Sequence, residues 1–482
     1  MAEETLKQKT AKGLFWGLVN NGTQQLLNLL FGIFLARLLT PADYGMVGML
    51  SVFSFVASSL QESGFTSALA NKKDVKHEDY NAVFWFSISM SFLLYWLLFF
   101  SAPLIAGFYG KPELIPLARY SFLGFFVSSM GIAPSAYLFR NMMVRQRARA
   151  SVVGLFCSGI VGILLAYCGY SYWGIATQTL VYISMMTLLV WIACPWRPTI
   201  KIDFSPLKQM IGFGSRLLFT NVFNHINNNL FSIVLGRFYT EKEVGQFNQA
   251  NKWNYMGHSL ISGMVGSVAQ PMFAQIREDD DRQVRAFRKM LRFTSFISFP
   301  AMFGLSLVAP ELITIAITDK WIVSAHILQI LAINGAFIPV ITLYTQLLIS
   351  KGKSNVYMWN TIAIGIIQLL LLLILYPYGI FAMVTIYATV NILWLFVWHY
   401  FVWKEIRIPL YMALKDILPF ACISLFVMAI TYVATSSLQN IYLLALSKIA
   451  LAAFLYILIM LLFGSVTFKE CLSYVLSKRK RR

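Results

Sequence analysis

Apolar runs long enough to cross a bilayer recur along the whole chain, separated by short polar segments. A span needs about 20 residues. The pattern yields about fourteen of them, at 13–38, 45–68, 81–107, 117–139, 150–169, 172–194, 210–238, 246–272, 288–309, 327–350, 357–375, 380–403, 416–435 and 441–464. The predicted fold class is all-α, a multi-pass membrane protein of about 14 transmembrane helices. No connection between spans is long enough for a folded extramembrane domain, so any activity has to reside within the helices.

The loops alternate in charge. One set is basic: Lys7, Lys9 and Lys12, then NKKDVKHEDY, RNMMVRQRAR, PWRPTIKIDFSPLK, QIREDDDRQVRAFRKMLR, KGKSN, KEIRIPLYMALK and the tail KRKRR. The other set is short and poor in Lys and Arg: TPADYG, GFYGKPEL, GYSY, TEKEVG, TDKW, YPYG and SSLQN. Basic loops stay on the cytoplasmic side, so both termini are expected to be cytoplasmic. That requires an even number of spans, and fourteen is even. The start, MAEETLKQKTAKG, leads into a full-length span rather than a short cleavable core, and the first span is expected to act as an uncleaved anchor.

Composition agrees. Of 482 residues 58% are hydrophobic and 12% charged, against about 25% charged in soluble domains. The net charge of +19 would suggest nucleic acid in a soluble protein. Here it sits mostly in loops and reads as topology, with membrane lipids rather than nucleic acid as the partner. Five cysteines are scattered without CxxC or metal-ligand spacing, so neither a metal nor a cofactor is expected.

The chain repeats itself. FLARLLTPADYG (34–45) resembles VLGRFYTEKEVG (234–245), so that Leu35, Arg37, Thr40 and Gly45 recur as Leu235, Arg237, Thr240 and Gly245 at an offset of 200. SYWGIA (171–176) resembles YPYGIF (376–381), and VRQRAR (144–149) resembles ISKGKS (349–354), both at an offset of 205. Six spans per repeat preserve orientation, which predicts two parallel six-helix lobes, 1–207 and 208–404. Two additional C-terminal helices and a basic tail make up 405–482. Two such lobes are expected to enclose a cavity near mid-bilayer.

Polar residues inside spans mark candidate sites. In the seventh, Asn221, Asn224, His225 and Asn228 follow one helix face, widened by Asn227 and Asn229, with Phe231 read as lipid-facing. The first carries Asn21, Gln24, Gln25 and Asn28 on the same face at the same offset. The eighth adds Asn248, Gln249, Asn251 and Lys252. Such groups either bond neighbouring helices, at about 0.6–2 kcal/mol each, or line an aqueous cavity. Matching stripes on paired helices favour the cavity. Arg37, Arg216, Arg237 and Lys252 suit an anionic substrate, although Arg37 and Arg237 stand near outer helix ends, where snorkelling or C-terminal capping serves equally. Glu62 reads as the only carboxylate clearly within a span: an Arg partner, a coupling proton carrier or an interfacial group.

The run KGLFWGLVNNGTQQLLNLLFGIFLARLLTPADYGMVGML, with the later SGFTSALANKKD, resembles the polysaccharide exporters of the multidrug/oligosaccharidyl-lipid/polysaccharide superfamily, in particular the branch of colanic acid and teichuronic acid repeat-unit flippases. The resemblance implies twelve core helices in two lobes plus two more, and a non-enzymatic activity. It implies movement of undecaprenyl-diphosphate-linked oligosaccharide from the inner to the outer leaflet of a bacterial cytoplasmic membrane by alternating access, alongside a polysaccharide polymerase and export machinery. It implies a cationic cavity for the diphosphate, onto which Arg37, Arg216, Arg237 and Lys252 fall by location. The multidrug branch places acidic residues in its first helix, and the first span here has none. That counts against the alternative of a cation-coupled drug antiporter. A membrane-embedded glycan polymerase or ligase would need a catalytic constellation and a sizeable outer loop. No HExxH, GxSxG or Walker loop is present.

Overall fold

In a computed structural model the described residues are 6–62, 69, 72, 74–200, 202–462 and 468–469; the side chains of 6–21, 62 and 208–221 are not among them. They form fourteen α-helices, one for each expected span, and no strand. These are α1 (Leu6–Leu38), α2 (Pro41–Glu62), α3 (His77–Tyr109), α4 (Leu114–Arg140), α5 (Val144–Tyr167), α6 (Tyr172–Ala193) and α7 (Leu207–Phe238). They continue with α8 (Glu241–Gln275), α9 (Asp280–Ile317), α10 (Ile322–Ser350), α11 (Ser354–Leu375), α12 (Ile380–Ile406), α13 (Leu410–Thr435) and α14 (Ile441–Leu462). Eleven are long and apolar enough to cross a membrane. The fully described α8 is not one of them: its first half holds Glu241, Glu243, Asn248, Gln249, Asn251, Lys252 and Asn254, and its second half is interrupted by His258, Ser262, Ser267, Gln270 and Gln275.

The chain divides into two compact units, Met1–Gly245 and Gln246–Arg482. In the first, α5 packs on both α1 and α6, α4 on α3 and α6, and α2 on α7. Helix α5 can hold two neighbours because its buried face is made of small residues: Ala148, Ser151, Gly154, Ser158, Gly159, Gly162 and Ala166. In a membrane such faces let backbones approach closely. A Cβ on Gly159 would lie 2.4 Å from the Phe31 ring of α1. In the second unit α9 is the hub, packing on α10, α13 and α14.

The repeated motif builds the same helix start twice. Before α2, the Asp43 carboxylate accepts from the Thr40 backbone N–H at 2.8 Å and the Thr40 hydroxyl at 2.7 Å. Before α8, Glu243 accepts from the Thr240 N–H at 2.9 Å and the Thr240 hydroxyl at 3.0 Å. Each is a Thr at the N-cap with an acid three residues on, the capping-box arrangement that satisfies otherwise orphaned donors. The two starts meet inside the first unit. A Cβ on Gly45 would sit 1.7 Å from the Glu241 carbonyl oxygen, and one on Gly245 the same 1.7 Å from that of Pro41. Only glycine permits this approach at either position.

Lys111 braces the junction from α3's end, its Nζ 2.7 Å from Glu241 Oε2. The Lys111 ammonium holds the Glu241 carboxyl below its ordinary 4.5. A depressed acid contributes stability that is complete above its unfolded pKa and is lost as pH falls through its folded one. The midpoint of thermal unfolding of the purified protein is therefore expected to fall as pH drops below about 4.5, and less steeply in Lys111→Ala. The effect is small, because the two side chains are 36% and 26% exposed. Equal pH slopes in the two proteins would show that the pair carries none of it.

Candidate functional site

Helix α2 turns Ser51, Ser54, Ser58 and Gln61 to one side, a spacing of three or four residues that keeps them on one face. That face looks into a cavity of ≈ 600 Å³ enclosed by α2, α4 and α6, a size in the range of ligand sites. From α4 come Ser121, Ser128 and Ser135, from α6 Thr179, Tyr182 and Thr187, and from the first turn of α5 Arg147. A second cavity of ≈ 390 Å³ lies between α1, α5 and α6, lined by Gln24 and Ser151. It shares Arg147, Tyr182 and Met186 with the first, so the two adjoin. Among the described residues no carboxylate lines either one.

Hydrogen bonds hold the walls in register. Buried Gln61 donates to the Phe125 carbonyl at 2.9 Å and to Ser128 Oγ at 3.1 Å, tying α2 to α4. Gln24 donates to Ser151 Oγ at 3.0 Å, tying α1 to α5. The Ser121 hydroxyl has no partner among the described residues, leaving a donor and acceptor for a guest. Arg147 is exposed, with the Phe139 ring 5.7 Å from its guanidinium carbon. It enters from the basic RNMMVRQRAR segment, so the hydroxyl-lined cavity has its cation at the basic-loop face.

The candidates from the sequence distribute unevenly. Gln24 lines the smaller cavity, Gln25 is half-buried and Asn28 is exposed. On α7, the His225 ring stacks on Phe55 of the cavity wall, centroids 5.3 Å apart and 2° from parallel. Asn229 accepts from Ser51 of that same wall at 3.1 Å and donates to the His225 carbonyl at 2.8 Å. Asn224 is half-buried and Asn228 exposed. Arg37 is exposed in the last turn of α1. Arg237, in the last turn of α7, donates to the Phe108 carbonyl and lies 5.3 Å from the Phe108 ring, anchoring α7 to the end of α3. Asn248 and Asn251 are half-buried and Lys252 is exposed on α8 in the second unit. The side chains of Asn21, Glu62, Arg216 and Asn221 lie outside the described residues.

Two sequence readings change. Phe231 is 2% exposed rather than lipid-facing: seven residues after half-buried Asn224, it shares that residue's side of α7 and is enclosed by protein. Glu62 is not the only carboxylate within a span. Helix α9 runs to Ile317, eight residues past the expected end, and encloses Glu311, whose Oε1 is 2.7 Å from Lys448 Nζ of α14. Sequence reasoning also missed Arg147, taken with its neighbours as a topological charge. Its signal was its place four residues before Ser151, on the small-residue face of α5. The serine face of α2 was missed because Ser is common within apolar spans and bonds its own helix, as Ser58 does to the Ser54 carbonyl.

Hydroxyls, amides and aromatic rings around a cavity bind sugars through hydrogen bonds and stacking, and a guanidinium at the mouth binds phosphate. A family model described as "Polysaccharide biosynthesis protein" matches residues 34–326. The chain belongs to this family. The matched range begins at FLARLLTPADYG, the motif that carries the resemblance in the sequence. "Teichuronic acid biosynthesis protein TuaB" of Bacillus subtilis (strain 168) is 23% identical over 403 residues, 81% of this chain and 80% of that one. "Lipopolysaccharide biosynthesis protein WzxC" of Escherichia coli (strain K12) is 23% identical over 359 residues, 73% of this chain and 72% of its own. Among solved structures, "Lipid II flippase MurJ, inward closed conformation" superposes with a TM-score of 0.77 at 16% identity, over 95% of this chain and 100% of that one. An inward-facing multidrug resistance transporter of the MATE family and MOP superfamily gives 0.60 at 15%, over 84% and 95%. At these identities the likeness to the structures is one of fold. This chain thus shares a multi-pass helical fold with a lipid flippase and with a drug transporter, and fold alone does not separate the two activities.

Proposed function

We propose that the protein is a flippase for lipid-linked polysaccharide repeat units, carrying undecaprenyl-diphosphate-linked oligosaccharide from the inner to the outer leaflet of the bacterial cytoplasmic membrane by alternating access. The observation that carries this reading is the cavity in Met1–Gly245: walls in which Ser, Thr, Tyr and Gln alternate with apolar side chains, a cation at the basic-loop face, and no carboxylate among the described lining residues. A drug antiporter for organic cations needs buried negative charge, which the described residues of this lining do not supply. The family and the relatives' names support polysaccharide as the cargo class.

In this mechanism both termini and the basic loops are cytoplasmic, and the diphosphate arrives at the face where Arg147 stands. The glycan enters among the hydroxyls of α2, α4 and α6, and the polyprenyl chain stays in lipid. Asn21, Gln24, Gln25, Asn28, Asn221, Asn224, His225 and Asn228 extend the polar path. Arg37, Arg216, Arg237, Asn248, Asn251 and Lys252 are further contacts for the anion and glycan, and Glu62 is the candidate for coupling. The lobes 1–207 and 208–404, with 405–482 appended, are the moving parts. Outward movement of an anion is favoured by about 2.3 kcal/mol per charge per 100 mV, inside negative. No bond is made or broken, and a polymerase on the outer face would consume the product.

Ser58→Leu places an apolar side chain on the cavity face of α2. In a strain lacking the chromosomal copy it is expected to reduce surface polysaccharide at least about tenfold, the effect of about 1.4 kcal/mol. Protein level stays unchanged and lipid-linked repeat units accumulate in the inner leaflet. Unaltered polysaccharide in this variant, or dye resistance that rises with expression of the wild type, would move the function to the drug-antiporter branch.

A further inference from the structure

Helices α8 and α9 are joined by only four residues, 276–279, yet they part company above the turn. At the turn they are pinned: Gln283 donates to the Phe273 carbonyl at 3.1 Å, and the Phe273 and Phe287 rings lie 6.2 Å apart. Beyond it α9 packs on α10, α13 and α14, and a cleft of ≈ 610 Å³ opens between α8 and α9. Its floor is buried Ile261 and Val265, and its lips are exposed Met264, Val268 and Phe293. Three features make it more than a packing defect. Lys289 and Arg292 stand in its lining at the basic-loop end, with no carboxylate among the lining residues. The Thr294 hydroxyl, 1% exposed and also in the lining, has no hydrogen-bond partner among the described residues. Pro271, inside α8, has no N–H to give the Ser267 carbonyl one turn earlier, and Ser267 lines the cleft too.

We propose that this cleft is a binding site for a monoanionic glycerophospholipid of the leaflet on the basic-loop side, one acyl chain lying between α8 and α9 and the phosphate resting on Lys289 and Arg292. A cleft of this volume accepts a chain-like ligand, and basic residues at the boundary of an apolar slot are the recognition element for an anionic headgroup. Asp416 fits the same scheme from behind. It takes Arg288 through both oxygens, at 2.7 and 3.1 Å, and holds Arg292 more loosely at 3.6 Å, which orients Arg292 at the cleft without withdrawing it. The lining offers a glycan almost nothing: Ser267 already donates to the Met264 carbonyl at 2.9 Å, and Thr294 is the remaining neutral polar side chain. The occupant is therefore a bulk membrane lipid rather than the transported conjugate. Wedged between consecutive helices, it splints α8 against the hub of the second unit.

Native mass spectrometry of the purified full-length protein tests this. Dioleoyl-phosphatidylglycerol and dioleoyl-phosphatidylcholine are added at equal concentration in neutral detergent. The wild type is expected to retain phosphatidylglycerol about thirtyfold better, the ratio given by about 1 kcal/mol for each of the two basic residues at an anionic surface. The variant Lys289→Gln/Arg292→Gln loses that preference but still holds either lipid weakly. Ser267→Trp, which fills the slot, retains neither at this site while remaining monodisperse. An unchanged preference in the double glutamine variant overturns the proposal. So does displacement of phosphatidylglycerol by undecaprenyl phosphate at equal concentration, which assigns the cleft to the substrate's carrier lipid.

Discussion

Arg147→Ala is expected to weaken binding of an undecaprenyl-diphosphate-linked glycan to the purified protein by about 10- to 150-fold and to reduce surface polysaccharide in parallel. The magnitude follows from hydrogen bonds to charged groups, worth about 1.5–3 kcal/mol. Arg147 is where the two cavities of the first unit adjoin, so an anion entering either one passes its guanidinium. The side chain is exposed, and its removal leaves no buried partner stranded. Thermal stability is therefore expected to change by no more than about 0.5 kcal/mol, which separates loss of binding from loss of fold. Arg147→Lys keeps the charge but not the planar fork that matches phosphate oxygens, and part of the affinity returns. Wild-type affinity in Arg147→Ala would remove the residue from the site.

The largest effect on stability is expected at the two glycines that bring the starts of α2 and α8 together. A Cβ at Gly45 or Gly245 meets a carbonyl oxygen at 1.7 Å, and backbone cannot move aside as a flexible side chain does. The helix starts have to separate, loosening the Thr40–Asp43 and Thr240–Glu243 caps and the Lys111–Glu241 ion pair nearby. Gly45→Val is expected to cost at least the upper end of the about 1–3 kcal/mol typical of overpacking, read as a lower midpoint of thermal unfolding in detergent. Gly45→Ala and Gly245→Ala together should cost less than the sum of the two alone, because one separation relieves both clashes. Strict additivity would show that the sites yield independently.

Legibility differed between levels of structure, for identifiable reasons. Hydropathy and the 20-residue minimum gave all fourteen helices, because lipid leaves the backbone no alternative to internal hydrogen bonding. Boundaries slipped where a helix continues past its apolar stretch: α9 continues to Ile317 through Glu311, whose charge is met by Lys448. The offset between TPADYG and TEKEVG was visible as letters, and its physical content is two matching caps and two matching glycine contacts. In the site, the amide stripes stood out because Asn and Gln are rare in spans. Gln24 reached the smaller cavity, and His225 and Asn229 reached side chains in the α2 wall of the larger one. The serine face of α2 and the single Arg147 did not stand out, since serines in apolar helices and arginines in basic loops are both commonplace.

The sequence by itself determined that the chain is a bundle of membrane helices, where the apolar part of each lies, which loops are basic, and that one helix start is written twice. These follow from local quantities: apolar length, loop charge and short-range capping chemistry. Only the tertiary structure decided which polar side chains share a cavity, that Arg147 opens onto it while Arg237 anchors a helix end, and that α8 and α9 stand apart to leave a lipid-sized cleft. Helical periodicity states which residues share a face. Which neighbour that face meets is set by small-residue contacts on other helices, such as Gly159 under Phe31, far away along the chain.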